Sequence, residues 1–197
     1  MKLIMATGNM NKIKEVRQIL QDTDIEVISM SDAGIDIEIE ETGKTFEENA
    51  KLKAETIRNL TNMPVMADDS GLIIDAMPDE LGIYSARFMG QDTPYTVKNQ
   101  EILNRLKDVP TNSRSARFIC TIAIAFPDEE TKVFEGVFEG RIAYEAEGDN
   151  GFGYDPIFYL PELGCTSAQL TEDEKNKISH RGKALKLATE ELKKINF

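Results

Sequence analysis

The sequence contains few of the residues on which metal centres, disulfide scaffolds and nucleic-acid surfaces depend. It has no tryptophan, one histidine and two cysteines, and its 23 Lys and Arg residues are outnumbered by 35 Asp and Glu residues. A formal net charge of −12 argues against a protein that coats nucleic acid or an anionic membrane, because basic side chains dominate both kinds of binding. A small anionic substrate is compatible with this charge if a locally basic pocket or a metal ion offsets it.

The two cysteines form neither a metal-ligand pattern nor a redox pair. Cys120 lies inside an apolar run and Cys165 lies far along the chain, so we expect reduced thiols. No apolar run approaches the length needed to span a membrane, and the run at 3–6 is shorter than a signal-peptide core. We therefore expect a cytoplasmic protein without membrane contact.

The composition is that of a folded globular protein, with 41% hydrophobic and 29% charged residues. The 197 residues fit one domain, with room for two lobes around a cleft. Apolar periodicity predicts strands at 3–6, 25–30, 117–126 and 133–142, a short extended piece at 83–88, and helices at 13–20, 45–60, 94–106, 171–178 and from 179 onward. In the helix at 94–106, the residues predicted to face inward are Val97, Ile102, Leu103 and Leu106. In the last helix they are Ala184, Leu185, Ala188, Leu192 and Ile195.

The stretch Val65–Asp75 places two carboxylates, a hydroxyl and a glycine between two short apolar runs. The runs favour buried strands, and Gly71 permits a tight backbone between them, so Asp68 and Asp69 are predicted at a strand end. Two carboxylates there repel each other unless a cation such as Mg²⁺ compensates them. An ordinary surface turn is the alternative, since Asp-Asp-Ser-Gly is also turn chemistry.

The segment Thr7–Lys12 joins the first strand to the first helix through a glycine loop. A strand, a loop and a helix in this order present backbone N–H groups and a positive dipole end to an anion, and Thr7, Asn9 and Lys12 add side-chain donors. The segment matches neither the Walker pattern nor Gly-x-Gly-x-x-Gly. It therefore predicts either a phosphate site or a plain strand-to-helix connection.

Further acidic and polar residues precede and begin the helix at 45–60. Apolar and acidic residues alternate from Ile35 to Glu40, which predicts an extended segment with one acidic face, either solvated or turned to a cation. Thr45 and Glu48 form a capping box. Asn49 and Lys53 are four residues apart and share a helix face, where they either reach a bound phosphate or are solvated.

Two later motifs suggest recognition of a nucleobase. The loop Gly148–Pro156 contains glycines that permit close approach and aromatic residues that could stack on a base, although Phe152 and Tyr154 would also anchor a structural turn. Asp155 could accept from a ring N–H or an exocyclic amine. His180 and Arg181 open the last helix, where two cations are unfavourable without a bound anion or acceptor, which favours a bound ligand over plain surface residues.

Taken together, these motifs resemble the inosine triphosphate pyrophosphatase family, whose members clear non-standard purine nucleotides. The resemblance rests on their order along nearly the whole chain: Thr7-Gly8-Asn9 with Lys12, Glu40-Glu41-Thr42-Gly43, Ala67-Asp68-Asp69-Ser70-Gly71, Ser85-Ala86-Arg87-Phe88, Gly151-Phe152-Gly153-Tyr154-Asp155-Pro156 and Ser179-His180-Arg181. It implies an elongated two-lobed α/β fold around a long mixed twisted β-sheet with flanking helices, and an active site in the cleft between the lobes. It also implies a homodimer.

The resemblance further implies hydrolysis of ITP, dITP and XTP to the monophosphate and pyrophosphate. A magnesium-bound water would attack the α-phosphate, with Asp69 as its base and Glu40 and Asp69 as the Mg²⁺ ligands; the residues alone do not separate Glu40 from Glu41. The implied substrate-binding residues are Thr7, Gly8, Asn9, Met10, Asn11, Lys12, Lys53, Ser70, Phe152, Gly153, Tyr154, Asp155, Lys175, His180 and Arg181. A pyrophosphatase for other modified nucleotides and a non-catalytic nucleotide-binding protein are the alternatives.

Overall fold

The computed structural model describes residues 1–193 and shows an α/β protein. Its helices within this range are α1 (Met10–Ile19), α2 (Phe46–Thr61), α3 (Tyr95–Arg105), α4 (Glu172–Ile178) and α5 (His180–Leu192). Its strands are β1 (Lys2–Met5), β2 (Glu26–Ser29), β3 (Val65–Ile74), β4 (Ser115–Ala125), β5 (Lys132–Ile142), β6 (Phe158–Leu160) and β7 (Cys165–Thr166).

These strands form one mixed sheet in the order β2-β1-β3-β4-β5-β6-β7. Strand β1 is parallel to β2 and to β3, whereas β6 is antiparallel to β5 and to β7. The connection at 126–131 is too short for a parallel crossover, so the neighbouring strands β4 and β5, both predicted from the sequence, form an antiparallel hairpin. The predicted mixed sheet is confirmed, and the predicted cleft stays a prediction.

The chain divides into two compact units. The first comprises Met1–Asp69, Cys120–Gly136 and the described residues from Arg181 onward, and the second comprises Ser70–Ile119 and Val137–His180. The predicted single domain is neither confirmed nor contradicted by this division and stays a prediction.

In the first unit, alternate residues of the strands pack against different helices. Met66 of β3 belongs to a core formed with α1 and α5, and its neighbours Val65 and Ala67 belong to a core formed with α2. Because successive strand residues point to opposite faces, α1 and α5 cover one face of the strand and α2 covers the other. This alternation decides where the side chains of Asp68 and Asp69 point.

In the second unit, a single apolar core is built around aromatic side chains. Phe118, Phe138 and Phe158 pack together at ring-centroid distances of 4.6 Å for Phe118–Phe158 and 5.2 Å for Phe138–Phe158. Ile102 and Leu103 of α3 are buried in the same core. This core anchors the loop at 148–156, because Tyr154 within the loop and Ile157 directly after it are part of the core.

The prediction of two short strands joined by a turn at Gly71 is wrong. Strand β3 runs without interruption from Val65 to Ile74, so the two aspartates lie inside a strand. Gly71 is required here by a close approach: a Cβ atom on it would lie 2.1 Å from the Gly82 carbonyl oxygen and 2.7 Å from Ser85 Oγ. Gly71 is thus needed because the segment at 82–85 packs against strand β3, and not because the strand turns at this residue.

Replacing Gly71 by Ala is expected to destabilise the protein by about 1–3 kcal/mol, the usual cost of overpacking. The added methyl group meets backbone atoms of Gly82, which cannot rotate away as a flexible side chain would. Chemical denaturation measures the change. Gly8→Ala is the matched control, because a Cβ at Gly8 meets nothing within 4 Å, and an equal loss in both variants would contradict the assignment.

Several other local predictions need correction. Helix α1 begins at Met10, so 10–12 form its first turn rather than a loop. The piece at 83–88 is not extended but contains a 3₁₀ turn at Gly82–Tyr84. Residues 35–40 lie in no strand or helix, and their extended conformation stays a prediction. Val97 is 47% exposed because it lies on the outer side of α3, whereas the other predicted inward residues of that helix are buried. Ile195 lies outside the described residues.

The remaining elements agree with their sequence signals. Thr45 caps α2 by accepting from the Glu48 N–H, and Thr171 with Glu174 forms a complete capping box on α4. The last helix buries the predicted stripe of small and apolar residues, and the two cysteines are free thiols. Among the helices of residues 1–193, none is long and apolar enough to cross a membrane.

Candidate active site

The N-terminus of α1 presents the predicted phosphate-binding segment. Asn9 is the N-cap, and its Oδ1 accepts from the backbone N–H groups of Asn11 at 3.0 Å and Lys12 at 3.4 Å. No acidic residue occupies the first turn, so no side chain of that turn neutralises the positive dipole end. Met10 is exposed, and a Cβ at Gly8 would have open space around it. These features leave room for an anion beside the helix start.

Asp68 points to the α1 and α5 side of strand β3, where it holds two cations. Its Oδ2 lies 3.0 Å from Lys12 Nζ and 3.2 Å from Arg181 Nη2. Arg181 also donates through Nη1 to Glu15 of α1. Asp68 and Arg181 are almost completely buried. The carboxylate therefore links the first turn of α1 to the first turn of α5.

The charges around Asp68 favour its ionised form. Burial by itself would raise the pKa of Asp68, but Lys12, Arg181 and Lys53 outweigh burial and hold it well below its ordinary value. Burial would likewise lower the pKa of Arg181, and the carboxylates of Asp68 and Glu15 raise it instead. Arg181 lies at the helix start, where its charge needs a negative partner. Asp68 and Glu15 of the protein are these partners.

Asp69 points to the opposite face of β3, towards α2. Its Oδ2 accepts a hydrogen bond of 3.0 Å from Asn49 Nδ2, and its Oδ1 lies 3.7 Å from Lys53 Nζ. Lys53 also donates to Glu41 Oε1 at 2.6 Å and to the Asp68 carbonyl oxygen at 2.7 Å. Asn49 and Lys53 are buried, so the alternative that they are solvated is wrong.

Asp69 is the carboxylate of this group best suited to accept a proton. Burial raises its pKa, and the Glu41 carboxylate raises it further, against the opposing effect of Lys53, Lys12 and the Asn49 hydrogen bond. The pKa of Lys53 is also raised, because Asp69, Asp68 and Glu41 outweigh the effect of its burial. A base with a raised pKa next to a firmly charged ammonium is a favourable arrangement for hydrolysis of a phosphate anhydride.

The structure distinguishes the two glutamates that the sequence left open. Glu41 contacts Lys53 and thereby approaches Asp69, whereas the neighbouring Glu40 is exposed. Glu40 as a metal ligand stays a prediction, and Glu41 is the stronger candidate by position.

The oxygen donors of Asp69 and Glu41 fit a hard divalent cation. Both carboxylates converge on the Lys53 ammonium, so a positive charge is already favoured at this point. Within residues 1–193, no group of three or more His, Cys, Asp or Glu side chains is placed to hold a metal ion. Mg²⁺ commonly uses one or two carboxylates together with substrate phosphates, so two carboxylates are a sufficient protein contribution.

The second unit contains the predicted base-recognition loop, which is fastened by Asp155. Its Oδ2 accepts from the Phe152 N–H at 2.8 Å and from Lys175 Nζ at 2.7 Å, and its Oδ1 accepts from Ser167 Oγ at 2.9 Å. Gly151 has a φ of +72°, and a Cβ there would lie 2.3 Å from Asp155 Oδ2. The protein therefore supplies the donors that were predicted to come from a base.

Aromatic rings surround this loop. The Lys175 ammonium lies 5.0 Å from the centre of the Phe152 ring. Tyr154 donates its hydroxyl to the Ser85 carbonyl oxygen at 2.6 Å, so it serves as the structural anchor that the sequence also allowed. His180 begins α5 and stacks on Phe118 at 4.8 Å and 12°. Phe152 is partly exposed, and Tyr95, which packs edge-on against Tyr154 at 5.0 Å, is exposed beside the same loop.

The structure thus sorts the predicted residues into groups. Lys12, Lys53 and Asp69 lie in the first unit with Arg181, and the residues at 152–155 lie in the second unit with Lys175 and His180. Ser70 directly follows Asp69 in β3 and is partly exposed. Asn49, which donates to Asp69, was missing from the predicted site residues. Its spacing of four from Lys53, which puts both on one helix face, was the signal that could have included it.

The chain is similar to known proteins over nearly its whole length. The model of the Ham1 family matches residues 3–191. A dITP/XTP pyrophosphatase of Listeria monocytogenes (serotype 4b, strain F2365) is 46% identical over 98% of this chain and 96% of its own length. A dITP/XTP pyrophosphatase of Bacillus subtilis (strain 168) is 49% identical over 93% of this chain and 92% of its own length. The solved structure of the Staphylococcus aureus Ham1 protein has a TM-score of 0.88 at 43% identity and covers 100% of both chains.

Proposed function

Since this chain belongs to the Ham1 family, we propose that it hydrolyses the non-standard purine nucleotides dITP, XTP and ITP to the monophosphate and pyrophosphate. Its similarity to two dITP/XTP pyrophosphatases over more than nine-tenths of their lengths supports this substrate class. The structural observation that carries the proposal is the buried carboxylate of Asp69, held between the Asn49 amide and the Lys53 ammonium.

The triphosphate is bound at the start of α1. The backbone N–H groups of Gly8 and Met10 and the side chains of Thr7, Asn9 and Lys12 would bind it there, and Lys53 would supply a further positive charge. The Asn9 N–H donates to Thr7 Oγ1 at 3.2 Å and orients that hydroxyl. Lys12 then shares its charge between the phosphates and Asp68, to which it is paired at 3.0 Å. These local cations are necessary because the chain as a whole carries a net charge of −12.

Asp69 and a glutamate of the 40–41 pair would hold Mg²⁺, and Glu41 is the stronger candidate because it contacts Lys53 beside Asp69. When bound, the ion neutralises phosphate charge and makes the phosphorus more electrophilic. Asp69 accepts a proton from the attacking water, and the water oxygen forms a bond to the α-phosphorus. The bond from that phosphorus to the bridging oxygen breaks, and pyrophosphate leaves with the bonding electrons. Lys53 stabilises the negative charge that develops on the phosphate oxygens.

We propose that the base is recognised by the loop at 148–156 and the side chains that fasten it. Phe152 stacks on the purine, and Gly153 to Asp155, Lys175 and His180 shape the pocket around it. Inosine and xanthosine carry a 6-carbonyl that accepts a hydrogen bond, whereas the 6-amino group of adenine would leave a donor of the site unpaired. Lys175 is our candidate for this donor, and its contacts with Asp155 and the Phe152 ring support the proposal. Arg181 contributes to substrate binding in addition to its pairing with Asp68.

We test the function by measuring pyrophosphate release from ITP, dITP and XTP beside GTP and ATP. The expected result is a kcat/KM at least about 10²-fold higher for the three non-standard nucleotides than for ATP, as expected for a site that reads a hydrogen bond. Adding EDTA should abolish release, and Mg²⁺ should restore it.

Other outcomes separate the alternatives. Release from methylated pyrimidine triphosphates alone would identify a pyrophosphatase for other modified nucleotides. Nucleotide binding without metal-dependent release would identify a binding protein. We also propose that the chain acts as one catalytic domain in a cytoplasmic homodimer without nucleic-acid or membrane partners, and light scattering measures its oligomeric state.

A further inference from the structure

Asn49 has an amide group in which both ends are used. The residue lies in the first turn of α2 and is completely buried. Its Oδ1 accepts a hydrogen bond of 2.8 Å from the Gly43 N–H, and its Nδ2 donates the bond of 3.0 Å to Asp69 Oδ2. One side chain thereby connects strand β3 with the segment that carries Glu40 and Glu41.

The orientation of this amide is determined by its partners. The Gly43 N–H can only donate, so it requires the oxygen of Asn49, and the NH₂ group must then face the carboxylate of Asp69. A rotated amide would place its own NH₂ against the Gly43 N–H and lose both bonds. Gly43 also lies very close, since a Cβ on it would come within 2.5 Å of Asn49 Oδ1. The contact with Gly43, and not only the bond to Asp69, therefore holds the Asn49 amide in one orientation.

We propose that Asn49 is a positioning residue that fixes the direction of the Asp69 carboxylate and the distance between Asp69 and the segment 40–43. This inference rests on the proposed function, because it concerns the geometry of that reaction. A carboxylate is planar and rigid, so fixing Oδ2 also fixes the direction of Oδ1, which lies nearest to Lys53 Nζ. Asn49 acts through Asp69 and does not itself contact the reacting atoms.

The test compares variants that disturb this amide from both sides. Asn49→Ala removes both hydrogen bonds, and Asn49→Asp keeps the acceptor for Gly43 while placing a second carboxylate oxygen against Asp69. Gly43→Ala leaves both side chains intact but presses on Asn49 Oδ1. We expect kcat for ITP to fall about 10²-fold in Asn49→Ala and Asn49→Asp and to a smaller extent in Gly43→Ala, because small displacements of a catalytic group have effects of this size.

The affinity for product distinguishes positioning from a general structural defect. Calorimetric titration with inosine monophosphate should give a dissociation constant within about twofold of the native value, since only an interaction of the reacting geometry is lost. Asn59→Ala is the matched control, because Asn59 lies on the same helix and is exposed. An unchanged kcat in Asn49→Ala, or a parallel loss of kcat and inosine monophosphate affinity in all three variants, would overturn the inference.

A crystal structure of Asn49→Ala keeps the inference testable if the native chain releases no pyrophosphate from ITP. We expect the Asp69 carboxylate to adopt a different side-chain torsion in the variant and the segment 40–43 to move away from β3. An unchanged Asp69 side chain would refute the positioning role irrespective of the substrate. Failure of the proposed function, in contrast, would appear as inactivity of the native chain.

Discussion

Replacing Asp69 by Asn is expected to lower the rate of pyrophosphate release from ITP by roughly 10²–10⁴-fold, the usual contribution of a general base. The Asn amide has almost the same shape as the carboxylate, but it cannot accept a proton from water at neutral pH. It also removes one of the negative charges that converge on Lys53. Single-turnover measurements on the native chain and the variant at saturating ITP isolate this effect from nucleotide binding.

The stability of this variant should stay close to that of the native chain. Burial raises the pKa of Asp69, which means that the folded protein disfavours its charged form at neutral pH. The uncharged amide removes this penalty but also takes one carboxylate away from the buried Lys53 ammonium, which keeps Glu41, so the melting temperature should change little. Asp22→Asn, a change at an exposed position, is the control for both measurements. Retention of more than about a tenth of native activity in Asp69→Asn would exclude it as the base.

The correct strand assignment for Asp68 and Asp69 could not be made from local sequence. Asp-Asp-Ser-Gly favours turns, and nothing nearby along the chain indicates a long strand. The strand forms because its charged residues find partners on both faces: Asn49 is 20 residues away from Asp69, and Arg181 is 113 residues away from Asp68. Such long-range pairs override local β propensity, and a single sequence does not reveal them.

Elements set by local signals were predicted well. The capping residues Thr45 and Thr171 mark the starts of α2 and α4 because the hydrogen bonds involved span only a few residues. The apolar runs of β1, β2 and β4 identify strands, and β5 is identified by Phe138 and Ile142 on one face and Glu139 and Arg141 on the other. The very short strands β6 and β7 were not predicted, since Phe158–Leu160 and Cys165–Thr166 are too short to show a period.

The sequence allowed us to predict which residues belong to the candidate site. It did not allow us to predict which groups of the protein they contact. Asp155 was predicted to accept hydrogen bonds, and it does, but its donors are Phe152, Lys175 and Ser167 of the protein. Arg181 was predicted to need an anion or another acceptor, and Asp68 and Glu15 supply it. In both cases the electrostatic requirement was correct, whereas the identity of the partner depends on the fold.

Replacing Asp68 by Asn is expected to destabilise the protein by about 3–5 kcal/mol, the usual cost of removing one partner from a buried ion pair. Lys12 and Arg181 would lose their shared carboxylate, and Arg181 is only 2% exposed, so water cannot replace that charge. Because the folded-state pKa of Asp68 lies below its ordinary value, its stabilisation is complete above the unfolded pKa. It decreases as the pH falls towards the folded-state pKa.

Urea denaturation at neutral pH measures this loss, and the exposed ion pair of Asp32 with Arg17 provides the control. Asp32→Asn should reduce stability far less than Asp68→Asn does, because solvent screens an exposed pair. A comparably small loss in Asp68→Asn would contradict the role assigned to its carboxylate. The two neighbouring aspartates should therefore give opposite results, with stability reduced at Asp68 and catalysis reduced with little change in stability at Asp69. That contrast follows directly from the strand alternation that turns their side chains to opposite faces of β3.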